Sequence, residues 1–268
     1  MRGIVAGTVI ALDTSTAAMA GAVICDGVVK SEVQAVAERN HSVHVISHMK
    51  SLLEQAAVGR EQLDGIVVGQ GPGSYTGVRI AVTAAKTLGW AWDKPVVAVS
   101  SLESLGYGAL HQCKAQYGAE AGEYWIIPIM DGRRGQVYRG GFRWSGEAGG
   151  NWTRWAEDGI VLMKDWVNTL LSMLSQRFSE DADGPLLVVT GDVSQHEAEV
   201  ERLSVKAAEI GVHTRVLPYV MEGRYLAQLG LKALNEGAGK AAHEILPNYT
   251  QLTEAEVKLK AKQAGERS

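Results

Sequence analysis

Residues Gly69 to Ile80, reading Gly-Gln-Gly-Pro-Gly-Ser-Tyr-Thr-Gly-Val-Arg-Ile, constrain the fold of this chain more than any other stretch. A strand-like apolar run, Ile66-Val67-Val68, leads into them, and a helix-patterned run, Val78 to Trp92, follows. Gly71 and Gly73 admit backbone angles that a Cβ forbids, and Pro72 stiffens the turn between them. Ser74 and Thr76 are both favoured helix N-cap residues. The stretch therefore predicts a tight strand-to-helix turn with bare amides at a helix N-terminus, a geometry suited to anions. The pattern alone allows either a phosphate cradle or a close-packing turn.

Hydrophobic patterning around this turn gives the architecture. Val9–Asp13, Met19–Cys25 and Val28–Ala37 read as strands, the last two joined by the hairpin dipeptide Asp26-Gly27. The period then becomes helical over His41–Ala57, where Val45, Ile46, Met49, Leu52, Leu53 and Ala56 form an apolar set. Strand Gly65–Val68, helix Ser74–Trp92, strand Val96–Val99 and helix Leu102–Gln112 complete the order βββαβαβα. That order is expected of a ribonuclease-H-like or actin-like lobe, a mixed sheet flanked by helices. The second half repeats it more loosely. Strand Tyr124–Met130 ends in Asp131 as Val9–Leu12 ends in Asp13, with Gln136–Trp144 as its hairpin partner. Helix Asp165–Arg177, strand Leu186–Val189, helix Gln195–Ile210 and strand Val212–Leu217 follow. The expected α/β organisation is a first lobe over 1–105, a degenerate second lobe over 106–218, and a helix over 219–236 packing back on the first. Residues 145–158, with Trp152 and Trp155, read as an irregular loop, and 247–268 as a charged C-terminal tail.

Composition narrows the function. At 268 residues the chain can bury a sizeable core, and its net charge of −4 argues against a protein that grips nucleic acid alone. Cys25 and Cys113 lie far apart without metal-ligand spacing, so a reducing cytoplasm is the expected compartment. No stretch approaches the ~20 apolar residues that span a bilayer.

Three chemistries can be weighed from the residues. His41, His44 and His48 share metal-compatible spacing on one helix, but no glutamate lies between them to act as base, and a polar helix edge is the simpler reading. Ser74 lacks a Gly-x-Ser-x-Gly setting, and no histidine falls in a recognisable partner motif for a Ser–His–Asp mechanism. The helix pair of the first half offers an interaction face instead. Gly77, Ala81, Ala84, Ala85 and Gly89 place small residues three to four apart, while His44, His48 and Ser51 flank the apolar stripe of the preceding helix. From pattern alone, close intramolecular packing is the more usual reading of such a face.

The wording of several motifs is more specific. Gly-Pro-Gly-Ser-Tyr-Thr-Gly-Val-Arg-Ile at 71–80, Ala11-Leu12-Asp13-Thr14-Ser15-Thr16, His41-Ser42, Asp131-Gly132-Arg133-Arg134 with Val137-Tyr138, and Pro247-Asn248-Tyr249 together resemble the TsaB (YeaZ) family, in the family's order and over nearly the whole chain. The chain departs from that pattern at Gly132, Gln136 and Thr250-Gln251. The resemblance implies two actin-like lobes. It places Asp13, Thr14 and Ser15, with Asp131 and Gly191, where actin-like ATPases orient Mg²⁺ and nucleotide. A turn in which Asp13 and Thr14 cap neighbouring amides is the alternative. In TsaD, the catalytic relative, a His-x-x-x-His pair holds a metal; the matching positions here are Ser101 and Leu105, which cannot replace imidazole ligands.

The resemblance therefore implies a non-catalytic subunit with no metal and no resident cofactor, an adenine nucleotide being conceivable only at a complex interface. Its expected role is to support TsaD in forming N6-threonylcarbamoyladenosine on tRNA. The helix pair, through His44, His48, Ser51, Gly77, Ile80, Ala81 and Ala84, would bind TsaD or a second copy of the chain. The ATPase TsaE would dock on the pair, and tRNA would be met only indirectly. An active actin-like ATPase or small-molecule kinase is the competing expectation.

Overall fold

The computed structural model describes residues 6–36, 41–118, 122–146, 150–178 and 184–250. Two five-stranded mixed sheets form its two lobes. The first contains β1 (Thr8–Asp13), β2 (Ala18–Cys25), β3 (Val28–Val36), β4 (Gly65–Gly69) and β5 (Val96–Val99) in the order β3-β2-β1-β4-β5. The second contains β6 (Glu123–Asp131), β7 (Gln136–Ser145), β8 (Asn151–Leu162), β9 (Leu186–Gly191) and β10 (Thr214–Leu217) in the order β10-β9-β6-β7-β8. Numbered within each lobe the two orders are identical, 3-2-1-4-5: two antiparallel hairpin pairings and two parallel ones around a central first strand. Asp13 and Asp131 end those equivalent central strands.

Helices α1 (His41–Ala56) and α2 (Tyr75–Trp92) cover one face of the first sheet. Val45, Met49 and Leu52 of α1 and Val78, Ala81, Val82 and Ala85 of α2 pack on Ile10, Leu12, Ile66 and Val68. The opposite face is closed from a distance in sequence. Leu226, Ala227 and Leu231 of α6 (Gly223–Asn235) lie on Val9, Ala11, Ile24, Val67 and Val97. Glycines allow this approach: a Cβ on Gly223 would stand 2.2 Å from the Gly21 carbonyl carbon, and one on Gly230 would stand 2.2 Å from a Val67 methyl.

The second lobe buries Trp125, Ile127 and Val189 against α4 (Met163–Arg177) and α5 (Glu197–Ala208). Between the lobes runs α3 (Ser101–Tyr117), whose Leu102, Leu105, Ala109 and Cys113 pack on Ile126, Phe142 and Val188 of the second sheet. A lobe boundary at 105/106 is thus corrected: that bond lies inside α3, one unbroken helix whose first turn is tied to the first lobe and whose length packs on the second.

Two further expectations are revised. The loop expected at 145–158 is mostly strand β8, paired with β7 across bulges at Gly141. Its tryptophans are built into the sheet: Trp155 lies over Gly141, where a Cβ would meet the ring at 2.5 Å, and its Nε1 donates to the Phe142 carbonyl at 3.0 Å. Trp152 stacks on Phe142 with ring centroids 5.1 Å apart. Residues 247–250, expected to begin a tail, are docked on the first lobe, while the expected tail over 251–268 lies outside the described residues.

The backbone contact between Gly223 and Gly21 leaves no flexible side chain to yield. Gly223→Ala should lower unfolding stability by about 1–3 kcal/mol, as expected of overpacking. A urea titration should show this as a lower midpoint at an unchanged slope.

Candidate functional site

Three of the sequence motifs meet at one place, the C-terminal ends of β1 and β4. Asp13 is fully buried there, and its carboxylate accepts hydrogen bonds from the Ser101 hydroxyl at 2.5 Å and the Ser15 amide at 2.6 Å. Ser101 Oγ accepts in turn from the Gly71 amide at 3.0 Å, and the Ser101 amide donates to the Gly71 carbonyl at 3.0 Å. Thr14 Oγ1 donates to the Gly77 carbonyl at 2.6 Å, and the Ser74 amide donates to the Ser15 carbonyl at 2.8 Å. Ser74 also caps α2, accepting from the Gly77 amide at 3.3 Å. From the far end of the chain, the Asn248 amide donates to the Gln70 carbonyl at 2.7 Å, and Tyr249 packs on Tyr75 with ring centroids 5.4 Å apart.

Glycine is needed here for space as well as conformation. A Cβ on Gly69 would stand 1.7 Å from Asp13 Oδ2, one on Gly73 (φ 153°) 2.6 Å from the Ser15 carbonyl oxygen, and one on Gly77 1.8 Å from the Thr14 carbonyl oxygen. The glycine-rich turn is therefore pressed onto the Asp13–Ser15 turn, and the Asp13 carboxylate and the Thr14 and Ser101 hydroxyls are engaged by the chain itself, while the buried Ser15 hydroxyl has no hydrogen-bond partner among the described residues. Of the two readings of the sequence, the close-packing turn describes this geometry.

In the second lobe, Asp131 Oδ1 lies 3.2 Å from His196 Nε2, and the Asp131 amide donates to Asp192 Oδ2 at 2.8 Å. Gly191 (φ 93°) is packed so closely that a Cβ would stand 2.1 Å from the Ile129 carbonyl oxygen. Of Ser101 and Leu105, which the family resemblance set against a histidine pair, the Ser101 hydroxyl is engaged as above and Leu105 is in the core. His44 and His48 stack edge-to-face with ring centroids 6.3 Å apart. Among the described residues no group of three or more His, Cys, Asp or Glu side chains is placed to hold a metal ion.

The outer surface of the first lobe carries a different feature. An open groove of about 500 Å³ runs between α1 and α2, lined by Val45, Ile46, Tyr75, Ile80, Thr83 and Ala84 among others. Ile46 is 51% exposed and Tyr75 56%, although both carry large apolar surfaces. Arg79 lies over the Tyr75 ring at 5.1 Å. Of the residues expected on this face, Ile80 and Ala84 line the groove. Gly77 and Ala81 point inward and are corrected to internal packing positions: Gly77 meets Thr14, and Ala81 belongs to the sheet-facing core. His44, His48 and Ser51 do not line it either. At 3.6 residues per turn they fall on the flank of α1 opposite Ile46, with Val45, Met49 and Leu52 buried between. The sequence held a signal for this, since Ile46 lies about 100° away from Val45 and widens the apolar stripe beyond what sheet packing uses.

A duplicated ribonuclease-H-like topology with acidic residues ending both central strands defines the chain as a two-lobed protein of the actin-like class, its first glycine-rich turn closed by internal contacts. It is 36% identical over 251 residues to the tRNA threonylcarbamoyladenosine biosynthesis protein TsaB of Bacillus subtilis, covering 94% of this chain and 97% of that one. The chain belongs to the TsaB family. The Escherichia coli TsaB is 28% identical over 130 residues, 48% of this chain and 52% of that protein. The structure of YeaZ from Pseudomonas aeruginosa, 24% identical, superposes with a TM-score of 0.66 over 91% of this chain and 99% of its own. The pattern of the TsaD family, tRNA N6-adenosine threonylcarbamoyltransferase, matches residues 29–160. No helix among the described residues is long and apolar enough to cross a membrane.

Burial lifts the Asp13 carboxyl above its ordinary value, against the opposing pull of its hydrogen bonds from Ser101 and Ser15. Its folded form therefore holds a proton more tightly than the unfolded chain, whose aspartate titrates near about 3.9. The associated stability is complete below that value and is lost as pH rises through the folded value. Asp13→Asn cannot ionise, so urea unfolding from about pH 4 upward should show the stability difference moving in the variant's favour as pH rises. A difference that stays flat or moves the other way would mean that the carboxylate is not desolvated.

Proposed function

We propose that this chain is a non-catalytic subunit of tRNA threonylcarbamoyladenosine formation, and that it pairs with TsaD through the groove between α1 and α2. The observation that carries this reading is the groove itself: Ile46 and Tyr75 expose apolar surface beside Ile80 and Ala84. Exposed apolar grooves of this kind suit an amphipathic helix from a partner. The engaged state of Asp13, Thr14 and Ser101 supports a role without phosphoryl or metal chemistry, since those groups would have to leave the glycine-rich turn to meet a ligand. In this reading the chain works in the cytoplasm, carries no resident cofactor, and joins its partner by surface rather than by acid, base or metal. A second copy of the chain would compete for the same groove, and TsaE would dock on the assembled pair.

Ile80→Arg and Ile46→Arg place a charge in the groove while leaving the core stripe intact. Each should weaken pairing with TsaD from the same organism by about 30-fold or more, the effect of removing a central interface side chain worth about 2 kcal/mol. Size-exclusion chromatography with light scattering reads the pairing, and a tRNA modification assay reads its consequence. His48→Ala, on the opposite flank of α1, should leave both unchanged. Ala81→Arg is unsuitable as an interface variant because it would bury a charge in the lobe's own core. ATP turnover by the chain alone, abolished by Asp13→Ala, would overturn the reading in favour of an actin-like ATPase or kinase.

A further inference from the structure

Beyond Thr87, which also borders the α1–α2 groove, a second groove opens at the C-terminal end of α2. Helix α2 stops when Asp93 adopts a left-handed conformation (φ 52°), its amide donating to the Gly89 carbonyl. The chain then enters β5, and residues from the far end of the sequence cross beside it: the Val96 amide donates to the Lys240 carbonyl at 2.9 Å, and the Lys240 amide to the Val96 carbonyl at 3.0 Å. The space between measures about 820 Å³ and is lined by Lys86, Trp90, Lys94, Pro95, Lys240 and His243 among others. Trp90 is 82% exposed, more than any other large hydrophobic side chain among the described residues.

The charges here run against those of the whole chain. Three lysines face one acid, Asp93, in the lining of the groove, although the net charge of the protein is −4. Lys86 Nζ donates to the carbonyls of Ile245 at 2.9 Å and His243 at 3.3 Å, and Lys94 Nζ donates to the Glu61 carbonyl at 3.2 Å. These are neutral acceptors that hold the ammonium groups in place without cancelling their charge. Two carboxylates stand close by: Glu61 is engaged by Arg60 at 2.8 Å and also feels the Lys94 charge, and Glu244 accepts from the Ala241 amide at 2.9 Å. None of the three lysines lies in an ion pair among the described residues.

Ammonium groups outside any direct ion pair, beside a bare indole, match a ligand with phosphates and a flat ring at short spacing. An acidic peptide would satisfy the lysines and leave the indole in water; an apolar helix would cover the indole and strand the lysines. A nucleic-acid strand satisfies both, by phosphate contact and base stacking. Only an unpaired strand exposes a base face to an aromatic side chain, so the match is to a single strand. We propose that this groove holds a short single-stranded segment of RNA, with a base stacked on Trp90 and the backbone running along Lys86, Lys94 and Lys240. That the strand is RNA rests on the pathway reading above; the groove adjoins the pairing face at Thr87 but shares no other lining residue with it, so the two are testable apart.

The test is fluorescence anisotropy of a labelled single-stranded RNA of about 12 nucleotides titrated with the full chain at low salt. Trp90→Leu should weaken binding about tenfold, in the range seen when a stacking aromatic is removed. Lys94→Glu with Lys240→Glu should also weaken it, and should reduce the slope of log K against log salt by about 0.7 for each phosphate that is no longer neutralised. Thermal melting should be unchanged in Trp90→Leu, since Trp90 is 82% exposed. Lys240→Glu alone, at an exposed position, keeps the test intact if Lys94→Glu lowers stability by giving up its bond to the Glu61 carbonyl. Ile80→Arg should lose TsaD pairing and keep RNA binding, which separates a failure here from a failure of the pairing interface. The proposal is overturned if the parent chain does not bind the strand, or if Trp90→Leu and the lysine variant bind like the parent. It is equally overturned if poly-glutamate competes as well as the RNA, if AMP alone binds as tightly as the strand, or if Trp90→Leu abolishes TsaD pairing while RNA binding persists.

Discussion

The first lobe is organised around one buried carboxylate. Asp13 ends β1, yet its two strong hydrogen bonds reach the following turn through the Ser15 amide and α3 through the Ser101 hydroxyl, which in turn holds Gly71. Desolvating an aspartate is costly, and the donors offset that cost only when all of these segments are in place together. The result is mutual dependence: the glycine-rich turn cannot settle without the Asp13 turn, and the start of α3 cannot settle without either. Glu103, in the first turn of α3, then accepts from Trp152 Nε1 and Arg154 Nη2 of β8, both at 3.1 Å. Within three residues the helix is tied first to one lobe and then to the other. Asp13 and Thr14, candidates for a nucleotide site in the sequence, serve here as internal fastenings.

How far the sequence disclosed this depends on whether the information was local. The Asp26-Gly27 hairpin was legible because its residues suit the left-handed angles found there, φ 48° and 76°. Helices α1 and α2 were legible because their apolar periodicity belongs to each segment alone. Strand β8 was not, because it is an edge strand with Arg154, Glu157 and Asp158 among its residues, and its pairing partner and the ring-over-glycine contact of Trp155 are supplied by β7. Periodicity also states that a helix has a small-residue face without saying what that face meets. Gly77 and Ala81 turned inward because the Asp13 turn and the sheet need α2 close. The candidate partner surface was left to Ile46, Tyr75, Ile80 and Ala84, where α1 and α2 fall short of covering each other.

Helix α2 thus has a division of labour along its circumference. Its inner side, small and close-fitting, fixes the glycine-rich turn and the sheet; its outer side leads from the α1–α2 groove toward Thr87 and on to Trp90. Interior substitutions would reach the outer surface only by moving the whole helix. Outer substitutions can change what the chain recognises without disturbing the buried aspartate.

The position of α6 bears on how the protein emerges from the ribosome. The five strands of the first sheet are complete at Val99, but among the described residues the face formed by Val9, Ala11, Ile24, Val67 and Val97 is covered by α6, whose residues begin at Gly223. At roughly 5–20 residues per second, the intervening stretch takes on the order of 6–25 s to synthesise. Throughout that interval the earliest-made half of the molecule carries an uncovered apolar sheet, which the second lobe, though adjacent in sequence, does not close. The lobes are repeats in topology but not independent folding units, and completion of the first waits on α6, far beyond its own strands in the sequence.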